Sequence, residues 1–332
     1  MIDTLTFQIR LNYENNLELK NNIINKKITL SELVDKYGHI HKDIFVGKIG
    51  NFSIFFNSWT LYLFITINPS NLLGKPPTTS DVLFVENGVK YFVSKNLYIP
   101  TYEFDSFNLN RIDYKVDCKL NSVEEKNIVF DLMKIATNKF DNIVKVPTRT
   151  SIRYNPQNGY IEFITYDKEQ AIMDKSCFKN TDVELIKKFK NVIRTEIRVK
   201  NRKLNYNKRS MGLSKDLVNY LSEDMAEYYF NSYAPKIWYT EPFYRLDVAL
   251  KMINENTSLT KNMKGKLSYM LKHIYLCGVT ATQDLYDKKY SRVTFRSHIK
   301  KIRGLGINPL TFNPEYSIEK LENFSLRKRS IS

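Results

Sequence analysis

The sequence predicts an α+β fold: an antiparallel sheet with helices on one face, followed by a mostly helical region of helix-turn-helix type. Three observations predict it. Arg111–Leu120, Gly159–Gln170 and Val192–Lys200 alternate apolar and polar residues with the period of two that a half-covered strand imposes. Helical signals over Ser122–Asn138 and Thr181–Lys190 interleave with them, giving the order strand–helix–strand–strand–helix–strand across 107–200. From 201 onward the apolar spacing shifts to that of helices.

Length and charge narrow the classes. The chain has 332 residues, enough for two domains, and 42% of them are hydrophobic, which excludes a disordered chain. Against 35 Asp and Glu stand 51 Lys and Arg, a formal net charge of +16 that suits a polyanionic partner. Trp59–Ile67 is too short to span a bilayer, so no membrane partner is expected. The opening MIDTLTFQIRL lacks the basic and apolar regions of a signal peptide. Cys118, Cys177 and Cys277 lack metal-finger spacing and point to a reducing, cytoplasmic setting.

Taken in order, residues 1–100 read as strand-rich: Thr4–Leu11, Gly50–Asn57 and, more strongly, Trp59–Asn68. Leu30–Lys36 reads as a short helix, and Val82–Leu97 as a hairpin turning at Asn87-Gly88. Ser122 and Glu125 form a capping-box pattern ahead of the stripe Ile128, Leu132, Ile135 and Ala136; Thr181 and Glu184 form a second. Arg198–Arg209, with six basic residues and no acid, reads as a boundary and a phosphate-contacting loop. Helices follow over Ser214–Tyr233, Asp247–Asn256, Leu259–Leu276, Thr282–Lys289 and Ser291–Arg303, with Gly278 and Gly304 as stops. The last pair has the helix-turn-helix pattern. Phe295, Ile299 and Ile302 form its apolar stripe, and Arg292, Arg296, Lys300 and Arg303 its basic face. Two domains are therefore expected. The first, 1–205, is strand-rich over 1–100 and holds the site in a core over 101–205; the second, 206–332, is a basic helical region.

Chemistry concentrates on the three alternating strands. Tyr166 ends one of them beside Asp167, Lys168 and Glu169, where a cation or metal would stabilise a nucleophilic phenolate. An ordinary half-buried strand tyrosine has the same local pattern. On the other two strands, carboxylates stand among basic residues on the polar face. Asp113 and Glu196, with Asp117 in reserve, are candidate ligands for Mg²⁺ or Mn²⁺, and the surrounding arginines suit a phosphodiester. A solvated antiparallel sheet would also carry such a face. His39-Ile40-His41 would turn two imidazoles the same way on a strand, but it follows Tyr37-Gly38 far ahead of Tyr166 and fits a surface turn. His273 and His298 fall within helices.

These residues together resemble the rolling-circle replication initiators of filamentous phages and related plasmids, the gene II/X replication-endonuclease family. The resemblance is carried by IDTLTFQIRL, LYLFITINPSNLLG (Leu61–Gly74), LNRIDYKVDCKL, ITYDKEQ and VIRTEIRVKNRKL, in that order and spacing over roughly 1–215. It implies a nickase whose Tyr166 attacks a phosphate of origin DNA, single-stranded or supercoiled duplex, and forms a 5′-phosphotyrosyl link. The free 3′-OH would then serve host polymerase, with host helicase, in the bacterial cytoplasm. Lys168 would neutralise the phosphate or phenolate. Asp113 and Glu196 would hold the divalent metal, and Arg194 and Arg198 would contact DNA phosphates. Read from the residues themselves, Arg111 beside Asp113 and Arg292, Arg296 and Lys300 on the basic face of the last helix are further candidate DNA contacts. The alternative is a non-enzymatic origin-binding initiator or regulator, which has no use for Tyr166, Asp113 and Glu196. An RNA-binding protein is a third class, without a recognisable stacking module here.

Overall fold

The computed structural model describes residues 2–325 except 101, 103, 141–142, 148–149, 157–158 and 177–182. It is α+β, with a large antiparallel sheet and a helical C-terminal region. The chain forms two compact units interleaved in sequence. One comprises 1–115, 159–161 and 197–228; the other comprises 116–158, 162–196 and 229–332.

In the first unit the strands hydrogen bond in the order β2-β3-β4-β5-β1-β6. These are β1 (Ile2–Leu11), β2 (Ser31–Val34), β3 (Ile40–Ile49), β4 (Phe52–Asn57), β5 (Tyr62–Ile67) and the leading segment of β6 (Phe104–Lys119). β1 lies between β5 and β6, with Leu5 opposite Ile67 on one side and Ile112 on the other. The helices here are α1 (Tyr13–Ile24), α2 (Pro69–Leu73) and α3 (Val82–Leu97).

Three expectations fail in this unit. Leu30–Lys36 contains strand β2, not a helix, because Leu33 and Val34 register with His41 and Ile40 across a turn whose N–H groups Asp35 accepts. Val82–Leu97 is one helix, not a hairpin. Val82, Val85, Val89, Phe92 and Val93 bury at helical spacing, and Phe92 stacks on Phe52 with ring centroids 3.9 Å apart. Gly88 is no turn residue: a Cβ there would stand 2.7 Å from Leu72 Cδ2, so the glycine lets α2 approach α3. The basic run after Arg198 is helix α7 (Asn201–Met211), ended by Gly212 at φ +65°, rather than a loop. Its Arg202, Lys208 and Arg209 are exposed while Leu204 is buried.

The second unit contains the rest of β6, α4 (Val123–Ile135), β7 (Lys139–Phe140), β8 (Ile143–Pro147), β9 (Ser151–Pro156), β10 (Ile161–Asp167), α5 (Lys168–Ser176), α6 (Val183–Lys188) and most of β11 (Val192–Lys200). Its strand order is β11-β10-β9-β8-β7. Ser122 caps α4 through Glu125 N–H at 3.1 Å, as expected, while the Glu125 carboxylate reaches Asn121 N–H instead of that of Ser122. Thr181 of the second expected box lies outside the described residues.

The stretch Ser214–Tyr233 is not one helix. After a single 3₁₀ turn at Leu217–Asn219, Ser222 accepts the N–H of Met225 and starts α8 (Glu223–Tyr233) afresh. Beyond lie α9 (Pro235–Trp238), β12 (Phe243–Tyr244), α10 (Leu246–Glu255), α11 (Lys261–Lys289), α12 (Arg292–Gly304) and β13 (Lys320–Leu321). Gly278 breaks α11 into two arms at φ +82°, ψ 168°, backbone open in practice only to glycine. The Thr282 hydroxyl donates back to the Gly278 carbonyl at 2.8 Å and meets His273 Nδ1 at 2.9 Å. α11 packs on α4: a Cβ at Gly278 would lie 3.1 Å from the Ile135 carbonyl oxygen, and Thr280 Oγ1 accepts the N–H of Asn138 at 2.8 Å. No helix among the described residues is long and apolar enough to cross a membrane.

Two measurements follow from this packing. Gly278→Ala forces a side chain into both a glycine-only conformation and a backbone contact, and is expected to cost about 1–3 kcal/mol, read as a Tm several degrees lower. The Lys145 ammonium donates to the carbonyls of Lys134 and Ala136, and burial pushes its pKa down to about 8. The folded state therefore releases this proton before the unfolded chain does, so stability grows as pH rises from about 8 towards 10. Urea unfolding at pH 7.5 and 9.5 is expected to show that gain in the wild type and a smaller one in Lys145→Met.

Candidate active site

Tyr166 is the last registered residue of β10, opposite Ser151 of β9. Lys168 opens α5 immediately afterwards, so the tyrosine stands beside the electropositive start of a helix. Asp167 accepts the N–H of Gln170 at 3.1 Å and anchors that start. Two of the expected residues come together here: the Tyr166 hydroxyl donates to Glu196 Oε1 at 2.7 Å. Glu196, only 3% exposed, comes from β11, whose Thr195 hydroxyl meets that of Thr165 at 3.2 Å.

The same unit joins Arg194 to Asp117. The guanidinium reaches the two carboxylate oxygens at 2.6 and 2.7 Å, a fork-on-fork pair with Arg194 4% exposed. Sequence reasoning missed Phe189, whose ring receives Lys168 Nζ at 5.6 Å and the Arg194 guanidinium at 5.7 Å. It also missed Lys126, bridging Asp167 at 3.2 Å and Glu169 at 3.0 Å. Burial works against the Lys126 charge, but the two carboxylates outweigh it and raise its pKa. A helix lysine facing a strand-end acid pair carries no local sequence signal.

Asp113 belongs to the other unit, where it is 1% exposed. Arg111 Nε donates to its Oδ1 at 2.7 Å, the Arg111 NH2 group contacts Oδ2, and Arg198 Nε lies 3.3 Å from Oδ2. Arg111 and Arg198 are thus partners of a carboxylate. The expected open, charged sheet face is correspondingly not open: Glu162 and Arg194 are buried against opposite charges on neighbouring strands, and Glu196 is buried against the Tyr166 hydroxyl.

As arranged, the expected ligands do not make a metal cage. Asp113 faces guanidiniums, Asp117 is clasped by Arg194, and Glu196 accepts from Tyr166. No group of three or more His, Cys, Asp or Glu among the described residues is placed to hold a metal. His39 and His41 sit at the β2–β3 turn, their rings 3.1 and 3.7 Å from Asp35 Oδ2 and largely exposed. Hydrogen bonding from the His39 N–H leads the effects that lower the Asp35 pKa.

On α12, Phe295, Ile299 and Ile302 are buried, whereas Arg292, Arg296 and Lys300 are exposed. Arg303 departs from the expected basic face: it holds Glu241 at 2.9 Å and lies over Tyr239.

No protein-family model matches this sequence, and no curated protein does. Among solved structures, a rolling-circle replication initiator protein from Geobacillus stearothermophilus matches over 72% of this chain and 86% of its own, at 11% identity and a TM-score of 0.36. A likeness of that size carries no inference about function.

The Arg194–Asp117 pair separates two roles for Asp117. As the partner of a buried guanidinium, Asp117→Asn should leave Arg194 uncompensated and cost about 3–5 kcal/mol. A Tm roughly 5–10 °C lower in metal-free buffer is expected. A Tm that rises would mark Asp117 as one of several mutually repelling metal ligands instead.

Proposed function

We propose that this chain nicks and rejoins DNA through Tyr166 as the initiator of a rolling-circle type of replication. The observation that carries the reading is the 2.7 Å hydrogen bond from the Tyr166 hydroxyl to a buried carboxylate, Glu196. A tyrosine can be held structurally in many ways; a carboxylate accepting its proton also suits removal of that proton. In the proposed reaction the phenol passes its proton to Glu196, and the phenolate oxygen attacks a backbone phosphorus. The P–O3′ bond breaks, leaving a 5′-phosphotyrosyl link and a 3′-oxygen that takes up a proton. Reversal by a 3′-OH rejoins the strand, because the link keeps the phosphodiester's energy.

Lys168 and the start of α5 supply positive charge beside the nucleophile. The net charge of +16 and the exposed Arg292, Arg296 and Lys300 on α12 support a DNA-binding surface. A divalent cation, Mg²⁺ or Mn²⁺, belongs to the proposal, though binding it through Asp113 or Asp117 requires guanidiniums to leave those carboxylates. In this reading the arginines so released would meet DNA phosphates.

The test incubates purified protein with a labelled single-stranded oligonucleotide from its own replicon's origin, with Mn²⁺ and with EDTA, on a denaturing gel. A covalent adduct absent from Tyr166→Phe is expected, with Glu196→Gln slowed by about 10²–10⁴-fold. Cleavage without an adduct would mean hydrolysis; a shifted origin duplex without cleavage under any metal would favour the binding-only initiator. In a native-gel shift of origin duplex at several salt concentrations, Arg292→Ala and Arg296→Ala should each weaken binding uniformly across sequences and reduce the salt slope by about 1.

A further inference from the structure

A cavity of about 480 Å³ lies between the two arms of α11 and the start of α12, and nothing in the proposed nicking chemistry uses it. Its volume is within the range of pockets that take small ligands, roughly 300–1,000 Å³. Lys261, Lys266 and Lys289 ring it, and among the described residues no acidic side chain lines it. Tyr269 and Tyr290 border it and are exposed, at 48% and 64%. At its side stands His298, 7% exposed, packed edge-on against the buried ring of Tyr286 with centroids 5.8 Å apart.

His298 is the second, independent observation. Its Nδ1 is buried and has no hydrogen-bond partner among the described residues. A buried polar atom left unpaired costs about 1–3 kcal/mol, so such atoms ordinarily find partners or mark ligand sites. Burial, then the nearby charges of Lys301 and Lys266, lower the His298 pKa, so the ring is neutral near pH 7 and offers a single donor or acceptor in its plane. A tightly enclosed anion alone would use the lysines but not the tyrosine faces or the imidazole. An acidic peptide would use the lysines and leave a 480 Å³ cavity unfilled.

We propose that this cavity binds a nucleoside phosphate, with the phosphate at the lysines, the base against the tyrosines and the base edge towards the His298 ring. The same chemistry comes from a free nucleotide or from one nucleotide of a DNA strand turned out of its stack. Stacking on aromatic side chains contributes about 1–3 kcal/mol per base, so loss of one tyrosine should weaken binding at least several-fold.

Isothermal titration of the full-length protein with dAMP tests this. Saturable binding is expected, at least tenfold tighter than with deoxyadenosine or inorganic phosphate alone. Lys266→Ala and Tyr290→Ala, both changes at exposed positions, should each weaken it several-fold or more. A short single-stranded oligonucleotide distinguishes the sources. If it competes with dAMP and weakens in Tyr290→Ala, the site takes a nucleotide of a strand; if it does neither while dAMP still binds, the site takes free nucleotide. No heat from dAMP at millimolar concentration, or binding unchanged in both variants, overturns the proposal. Nicking does not enter the readout, so the outcome is independent of the proposed function.

Discussion

Arginine–carboxylate pairing on the strand faces is the constraint on which the site depends. Asp113 and Arg194 are nearly solvent-free, and an isolated charge so buried would cost several kcal/mol. Each is made tolerable by a partner: Arg111 and Arg198 for Asp113, Asp117 for Arg194. The forked guanidinium suits this better than a lysine would, because it satisfies both carboxylate oxygens at once and fixes the side chain's direction. With Asp117 engaged, Arg194 presents its remaining surface to Phe189, the ring that Lys168 also meets. In the unit that holds Tyr166 the charges are thus paired, Arg194 with Asp117 and Lys126 with Asp167 and Glu169.

That pairing also explains what sequence reasoning could and could not see. Period-two alternation placed β6, β10 and β11 and set the polar residues on one face, because backbone geometry alone decides which side chains share a face. It could not distinguish a solvated face from a self-neutralised one, since both have the same pattern; only the registers make Arg194 meet Asp117 rather than water or a metal. Tyr166 and Glu196 were each legible as candidates, yet their hydrogen bond depends on two strands far apart in sequence. Asn87-Gly88 misled for a related reason. A glycine after asparagine is a local turn signal, whereas the demand it meets, the approach of Leu72, is tertiary.

The C-terminal helices were more legible because their signals are local. Ser291 caps α12 through the N–H of Thr294, and the buried stripe of that helix follows the 3.6-residue period read from the sequence. Gly278 was legible as a stop but not as a joint. Exposed basic residues and packing residues of α12 are also separated by a tertiary fact: Arg303 shares the periodicity of Arg292, Arg296 and Lys300, yet Glu241 takes it out of that set.

Gly278 links the fold of this region to its chemistry. A continuous helix of 29 residues would run about 44 Å in one direction. The break turns its second arm so that Tyr286 and Tyr290 come back beside Lys261, Lys266 and Tyr269 of the first, and the cavity is the space this reversal encloses. The Thr282 hydroxyl ties the two arms at the joint, donating to the Gly278 carbonyl and meeting His273 of the first arm. A helix held bent by a glycine, a hydroxyl and an imidazole therefore presents aromatic faces and lysines at defined positions. Those positions are set by backbone geometry, and the exposed side chains on them are left to meet a ligand without carrying the fold.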